Sequence, residues 1–113
     1  MNHQMNLNHF AWEQIKSGRK TAEIRLYDER KRKIKIGDTI EFIDLDNKNT
    51  LSTKVVELSK APNFVQLFKI VDPYLGGWQK GTAPEKAAKD MGIYYSKEKE
   101  LEYGVIAIYL VVL

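Results

Sequence analysis

The chain has 113 residues and a mass of 13.1 kDa, a length at which a single domain spanning residues 1–113 is expected, and 43% hydrophobic with 11% aromatic residues supply ordinary core material. It holds no cysteine, which removes thiol nucleophiles, thiolate metal sites and disulfides, and its only histidines are His3 and His9, which excludes a multi-histidine metal centre. The net charge of +3 is unevenly placed: residues 16–35 carry +6 and the other 93 carry −3.

Residues 1–8 are polar, with neither the cationic start nor the apolar centre of a secretory leader, so a cytoplasmic protein is expected. Asn8 is placed to cap a helix running to about residue 17, with Phe10, Ala11 and Ile15 on one face, Glu13, Gln14 and Lys16 on the other, and Gly18 ending it. Residues 21–26 alternate, Thr21, Glu23 and Arg25 against Ala22, Ile24 and Leu26, which predicts a half-buried strand with an acid and a base on its polar face. A basic loop at 30–33 follows, and residues 33–36 alternate again. Gly37-Asp38 then turns into a strand over 39–43, whose apolar positions are Ile40, Phe42 and Ile43. Asp46 to Asn49 closes a hairpin with a return strand over 51–59.

Asn63 is placed to cap a helix over 64–71 with Phe64, Leu67, Phe68 and Val71 at core spacing, and residues 72–78 read as a loop. A helix over 83–91 opens with a capping box of Thr82 and Glu85 and ends at Gly92; Ser96 caps another over 97–103, stopped by Gly104. The apolar run at 105–113 is about half the roughly 20 residues a membrane-spanning helix needs, so it reads as a buried strand and no membrane association is expected. Strands dominate both ends and helices fill the gaps. An α+β domain with a curled, mostly antiparallel sheet accounts for that order, whereas a doubly wound parallel sheet would need regular strand–helix alternation.

All four arginines, Arg19, Arg25, Arg30 and Arg32, fall within fourteen residues, among the lysines Lys20, Lys31 and Lys33. Arginine suits planar, bidentate contact with phosphate or carboxylate, so this segregation points to an anionic partner, against the plainer reading of a solvated charged surface. There is no phosphate-binding glycine loop, no dinucleotide fingerprint and no nucleophile elbow, hence no cofactor is expected. Of Tyr94 and Tyr95, read as neighbours on a strand, one at most faces a ligand, and Tyr95 is the one chosen; Trp78 reads as a pin holding its loop to the body.

The stretch Gly18-Arg19-Lys20-Thr21-Ala22-Glu23-Ile24-Arg25 carries most information. Two residues apart on a strand, Glu23 and Arg25 share a face, with Lys20 at the corner close enough to join them; the group is either a structural ion pair or a cleft for phosphate or proton transfer. Gly18-x-Lys20-x-x-Glu23-x-Arg25, followed by Lys35-Ile36-Gly37-Asp38-Thr39-Ile40-x-Phe42, Phe64-x-x-Leu67-Phe68, Tyr94-Tyr95-Ser96 and Tyr103-Gly104-Val105-x-Ala107-Ile108, closely resembles the ASCH domain family. The resemblance covers nearly the whole chain.

What it implies is a PUA-like small β-barrel of mostly antiparallel strands with helices packed around it, and an association with RNA recognition or metabolism in bacteria. RNA or a nucleotide-like ligand would then sit in a cleft lined by Lys20, Glu23 and Arg25, with Arg19, Tyr95 and the run Arg30, Lys31, Arg32 and Lys33 as further contacts and no metal. Some relatives are amidohydrolases acting on N4-acetylcytidine and look like Gly-Arg-Lys-Thr-x-Thr-x-Arg here; this chain has Glu23 in place of the second Thr, the expected nucleophile. Thr21, two residues away, is about 6 to 7 Å along a strand from that position, far outside attack tolerance. The alternative reading is accordingly a small hydrolase in the same cleft, an amidohydrolase or a metal-independent ribonuclease, with Lys20, Glu23 and Thr21 as candidate catalytic residues. A third is a regulatory module for a protein or a small anionic ligand.

Overall fold

A computed structural model describes residues 1–113. In chain order the elements are β1 (Asn2–Leu7), α1 (His9–Lys16), β2 (Ala22–Leu26), α2 (Glu29–Arg32), β3 (Thr39–Asp44), β4 (Thr50–Ala61), α3 (Phe64–Ile70), a 3-10 turn (Pro73–Gly76), α4 (Pro84–Met91), α5 (Lys97–Tyr103) and β5 (Val105–Val112). The strands form one sheet in the order β1-β3-β4-β5-β2. β1 runs parallel to β3 and the other three neighbouring pairs are antiparallel. A register irregularity between Val55 and Glu57 bends β4 and helps curl the sheet into a half-barrel, so the edge strands β1 and β2 come to face one another.

β5 explains the apolar run at the end of the chain. Val105 and Ala107 face a core built with α3 and α4 (Phe64, Leu67, Phe68, Ala87, Met91), while Ile106, Ile108 and Leu110 face a second core inside the curl with Met5, Leu7, Trp12, Ile15, Phe42 and Val55. A strand covered on both faces needs apolar residues at every position. β2 pairs with β5, Glu23 opposite Ile108 and Arg25 opposite Ile106, so its supposed polar face is in fact the inner face of the half-barrel. Ala22, Ile24 and Leu26 pack outward onto α3 and α4.

Several local expectations are corrected. Residues 2–7 form a strand, with Met5 and Leu7 buried between exposed neighbours, although only two apolar residues mark it. In α1 the Asn8 cap forms, its side chain accepting from Ala11 N at 2.8 Å, yet Phe10 is 72% exposed, and Trp12 and Ile15, three apart, face the core. The basic loop is the helical turn α2, capped by Asp28, which accepts from Lys31 N. Residues 33–36 form no strand, Ile34 being buried and Ile36 exposed.

The capping box of α4 is absent. Ala83 takes the cap position, Pro84 stands at the first turn that suits its missing N–H, and the Thr82 hydroxyl donates to the Gln79 carbonyl instead. Tyr94 and Tyr95 lie in the turn after α4 and not on a strand, and the loop over 72–78 contains the 3-10 turn. No helix is long and apolar enough to cross a membrane.

Candidate ligand cleft

The seam between β1 and β2 opens into a cleft of about 530 Å³. At its floor Glu23, 3% exposed, is held from both sides: Lys20 Nζ lies 2.7 Å from Oε1 and Arg25 Nε 2.7 Å from Oε2. Burial opposes ionisation of that carboxyl, but the charges and hydrogen bonds of Lys20 and Arg25 overrule it and hold Glu23 below the ordinary carboxylate range. Arg25 Nη2 also donates to the Asn6 carbonyl at 3.0 Å, a side-chain strut between the two edge strands. No buried side-chain nitrogen or oxygen lacks a partner, and Lys20 and Arg25 both line the cleft.

Aromatic and glycine-rich segments build the walls. Tyr95 stacks on Phe64 with ring centroids 5.9 Å apart, and its hydroxyl faces Arg25. Burial pushes the phenol pKa up against the pull of Arg25, so Tyr95 is a neutral donor and acceptor at pH 7. Gly76-Gly77-Trp78 lines the cleft as well. Trp78 Nε1 donates to the Asp90 carboxylate at 2.9 Å and the indole meets Phe68 edge-on at 5.1 Å, which is the pinning role expected of it, while the ring also lines the cleft. Gly77 has φ +107°, and a Cβ there would lie 2.9 Å from Gln14 Oε1 and 3.5 Å from Lys20 Cδ; the backbone approaches the triad closely because no side chain intervenes.

The other residues named from sequence are dispersed. Arg19 donates to the carbonyls of Tyr74 at 2.7 Å and Trp78 at 2.5 Å, and its guanidinium lies 3.7 Å from the Tyr74 ring centroid. It braces the Trp78 wall from behind. Thr21 does not line the cleft; its backbone N–H donates to Leu75 and its carbonyl accepts from Leu110. Arg30 and Lys31 line a separate groove beside β1, Arg32 lies over Tyr27 and donates to the Tyr103 carbonyl, and exposed Lys33 lines neither hollow.

Sequence reasoning missed Asn6, Gln14, Phe10 and Tyr94, all of which line the cleft. Phe10 and Tyr94 sit exposed at its mouth, 72% and 68%. The signal available for Phe10 was its place beside Trp12, the larger ring, which takes the inward direction. Away from the cleft, His9 Nδ1 lies 2.7 Å from Asp44 Oδ2, with Asp46 close by. That cluster is internally bonded, Asp44 also accepting from Asp46 N, and it locks α1 to the β3–β4 turn.

The curled sheet, its helical cover and a cleft at the open seam define a PUA-like α+β domain. The ASCH domain profile matches residues 5–113, and the chain belongs to the ASCH domain family. Its fold is similar to the crystal structure of hypothetical protein PH0355, with 31% identity over 100% of both chains and a TM-score of 0.87. The solution structure of protein PF0455 from Pyrococcus furiosus is similar over 100% of this chain and 98% of that one, with 30% identity and a TM-score of 0.77. A mutant of ZmASCH from Zymomonas mobilis shares the fold at 13% identity and a TM-score of 0.68, over 96% of this chain and 66% of its own. No curated protein matches the chain.

Proposed function

We propose that this domain binds RNA, or a nucleotide-like piece of it, with a base seated in the cleft between Trp78 and Tyr95. One observation carries the reading: an aromatic-walled hollow of about 530 Å³ has a doubly held carboxylate and two cations at its floor. The volume lies within the few hundred to about 1,000 Å³ typical of small-ligand sites, and flat apolar walls suit a base. Two of the roughly four lone-pair positions of the Glu23 carboxylate are taken by Lys20 and Arg25, leaving it able to accept from an exocyclic amine. The remaining protons of Lys20 and Arg25 suit a base carbonyl or a phosphate.

The lining contains no serine or threonine, so an amidohydrolase step through a hydroxyl nucleophile has only the phenols of Tyr94 and Tyr95 to draw on. Binding is therefore the reading these residues support best. Trp78 provides the assay. Its fluorescence, isolated in a Trp12→Phe background because Trp12 also emits, is followed while single-stranded RNA, duplex RNA and matched DNA are titrated at two salt concentrations, and the RNA is scanned afterwards for cleavage. Single-stranded RNA should outcompete DNA at the higher salt, and Lys20→Met should weaken it at least tenfold. Binding no better than the nonspecific electrostatic background, or unchanged by Lys20→Met, would sink the proposal; product bands would turn it toward a ribonuclease.

A further inference from the structure

A second hollow, a groove of about 660 Å³, runs along the free edge of β1 from Asn2 to Asn6, with Arg30, Lys31 and Ile34 on its far bank. Asn6 and Arg25 line both hollows, so the groove and the cleft meet across the strut from Arg25 to the Asn6 carbonyl. The two differ in chemistry. The cleft has aromatic walls and one carboxylate; the groove has three cations, Arg25, Arg30 and Lys31, and no acidic residue in its lining.

Its near bank adds backbone donors. Thr39 N donates to the Met1 carbonyl and Leu45 N to the Leu7 carbonyl, so the odd-numbered residues of β1 direct their backbone toward β3. In a parallel ladder the alternate residues face the other way, which turns the N–H groups of Asn2 and Gln4 to the groove. Arg30 is exposed, and Lys31, which also lines the groove, has its Nζ 3.5 Å from Asp28.

We infer that groove and cleft form one track for a single-stranded oligonucleotide, in which a base occupies the cleft, Arg25 meets the adjoining phosphate, and the next linkages run along β1 beneath Arg30 and Lys31. This rests on the nucleotide reading of the cleft and adds that the ligand is a polymer segment and not a free nucleoside. The groove spans four residue steps of β1, about 13 Å, room for about two internucleotide linkages. A duplex is disfavoured by the same geometry, since a stacked and paired base would first have to be extruded, at a cost of a few kcal/mol, to enter the cleft. An acidic peptide added to the β1 edge is less favoured. The Asn6 carbonyl on that edge is already taken by Arg25, and the groove leads into aromatic walls that a strand would not use.

The test compares RNA mononucleotides with two- and four-residue single strands of each base, by calorimetry, on the wild type and on a double variant, Arg30→Ala with Lys31→Ala. Wild-type affinity should rise at least tenfold from one to four nucleotides. In the double variant the ratio of four-residue to one-residue affinity should fall to within about twofold of unity, and the salt dependence should flatten by about 1.4 in slope for two lost phosphate contacts. Equal affinity at every length in the wild type, or a length dependence that survives the double variant, would overturn the track while leaving the cleft reading intact. Failure of every length to bind would remove both. Displacement of the four-residue strand by an oligoglutamate of the same charge would overturn it in favour of a peptide edge site.

Discussion

Replacing Glu23 by Gln tests whether the triad at the cleft floor is an ion network or merely a set of neighbours. Glu23 is 3% exposed, with Lys20 Nζ and Arg25 Nε each 2.7 Å from a different oxygen. The amide keeps the shape but offers one acceptor and one donor group, so one of the two cations must face an N–H₂, donor against donor. Breaking a buried ion pair from one side costs about 3 to 5 kcal/mol. At about 2.1 cal/mol/K of unfolding entropy per residue, a chain of this length loses about 4 °C of Tm per kcal/mol, so a fall of at least about 12 °C is expected at pH 7.

The pH dependence supplies the second half of that test. The folded state holds the Glu23 pKa below its ordinary 4.5, so this contribution is fully present above about 4.5 and disappears as the pH falls through the folded value. Urea unfolding of wild type and Glu23→Gln from pH 7 to pH 3 should therefore give a stability gap that is flat above pH 4.5 and closes below it. Exposed Glu13→Gln serves as the control and should move stability by no more than about 0.5 kcal/mol. A gap under about 1 kcal/mol at pH 7, or one that does not narrow in acid, would refute the ion-network account.

Two further outcomes follow from local geometry. The hydrogen bond that His9 donates to the Asp44 carboxylate, aided by nearby acids, raises the His9 pKa above 6.5, so the stability due to its protonated form is complete below that value and is lost as the pH rises through the folded one; an NMR titration should place the midpoint above 6.5, and Asp44→Asn should bring it down. Gly77→Ala forces a positive φ on a residue with a Cβ and presses that carbon against Gln14, which should cost about 1 to 3 kcal/mol in denaturant unfolding and shift the Trp78 emission. Stability within about 0.5 kcal/mol of wild type would show that Gln14 and the backbone yield freely.

Local signals carried the fold a long way. Asn8, Asn63 and Ser96 each cap the helix they precede, accepting from the backbone N–H three residues on. Such caps are legible because donor and acceptor lie within one turn. β1 was not legible, since a strand with only Met5 and Leu7 buried gains its existence from pairing with β3, more than thirty residues away. Tyr94 and Tyr95 were misplaced for a related reason: an aromatic pair has strand propensity, but the carbonyl of Met91 captures both of their N–H groups in a turn.

For the cleft, spacing alone placed Glu23 and Arg25 on one face of a strand with Lys20 at its corner, because alternation and a tight turn are properties of consecutive residues. Whether that face met solvent or the inside of a curled sheet was decided by the pairing of β2 with β5, which sets Glu23 opposite Ile108. Tertiary structure likewise divided the arginine cluster. Arg19 went to the carbonyls behind Trp78, Arg32 to Tyr27 and Tyr103, and only Arg25 and Arg30 share a hollow. Sequence determined where the positive charge lies along the chain; partners brought near by the sheet's closure determined which charges were tied up in structure and which line a hollow, because carbonyls and rings supplied from distant elements compete for the same guanidinium protons.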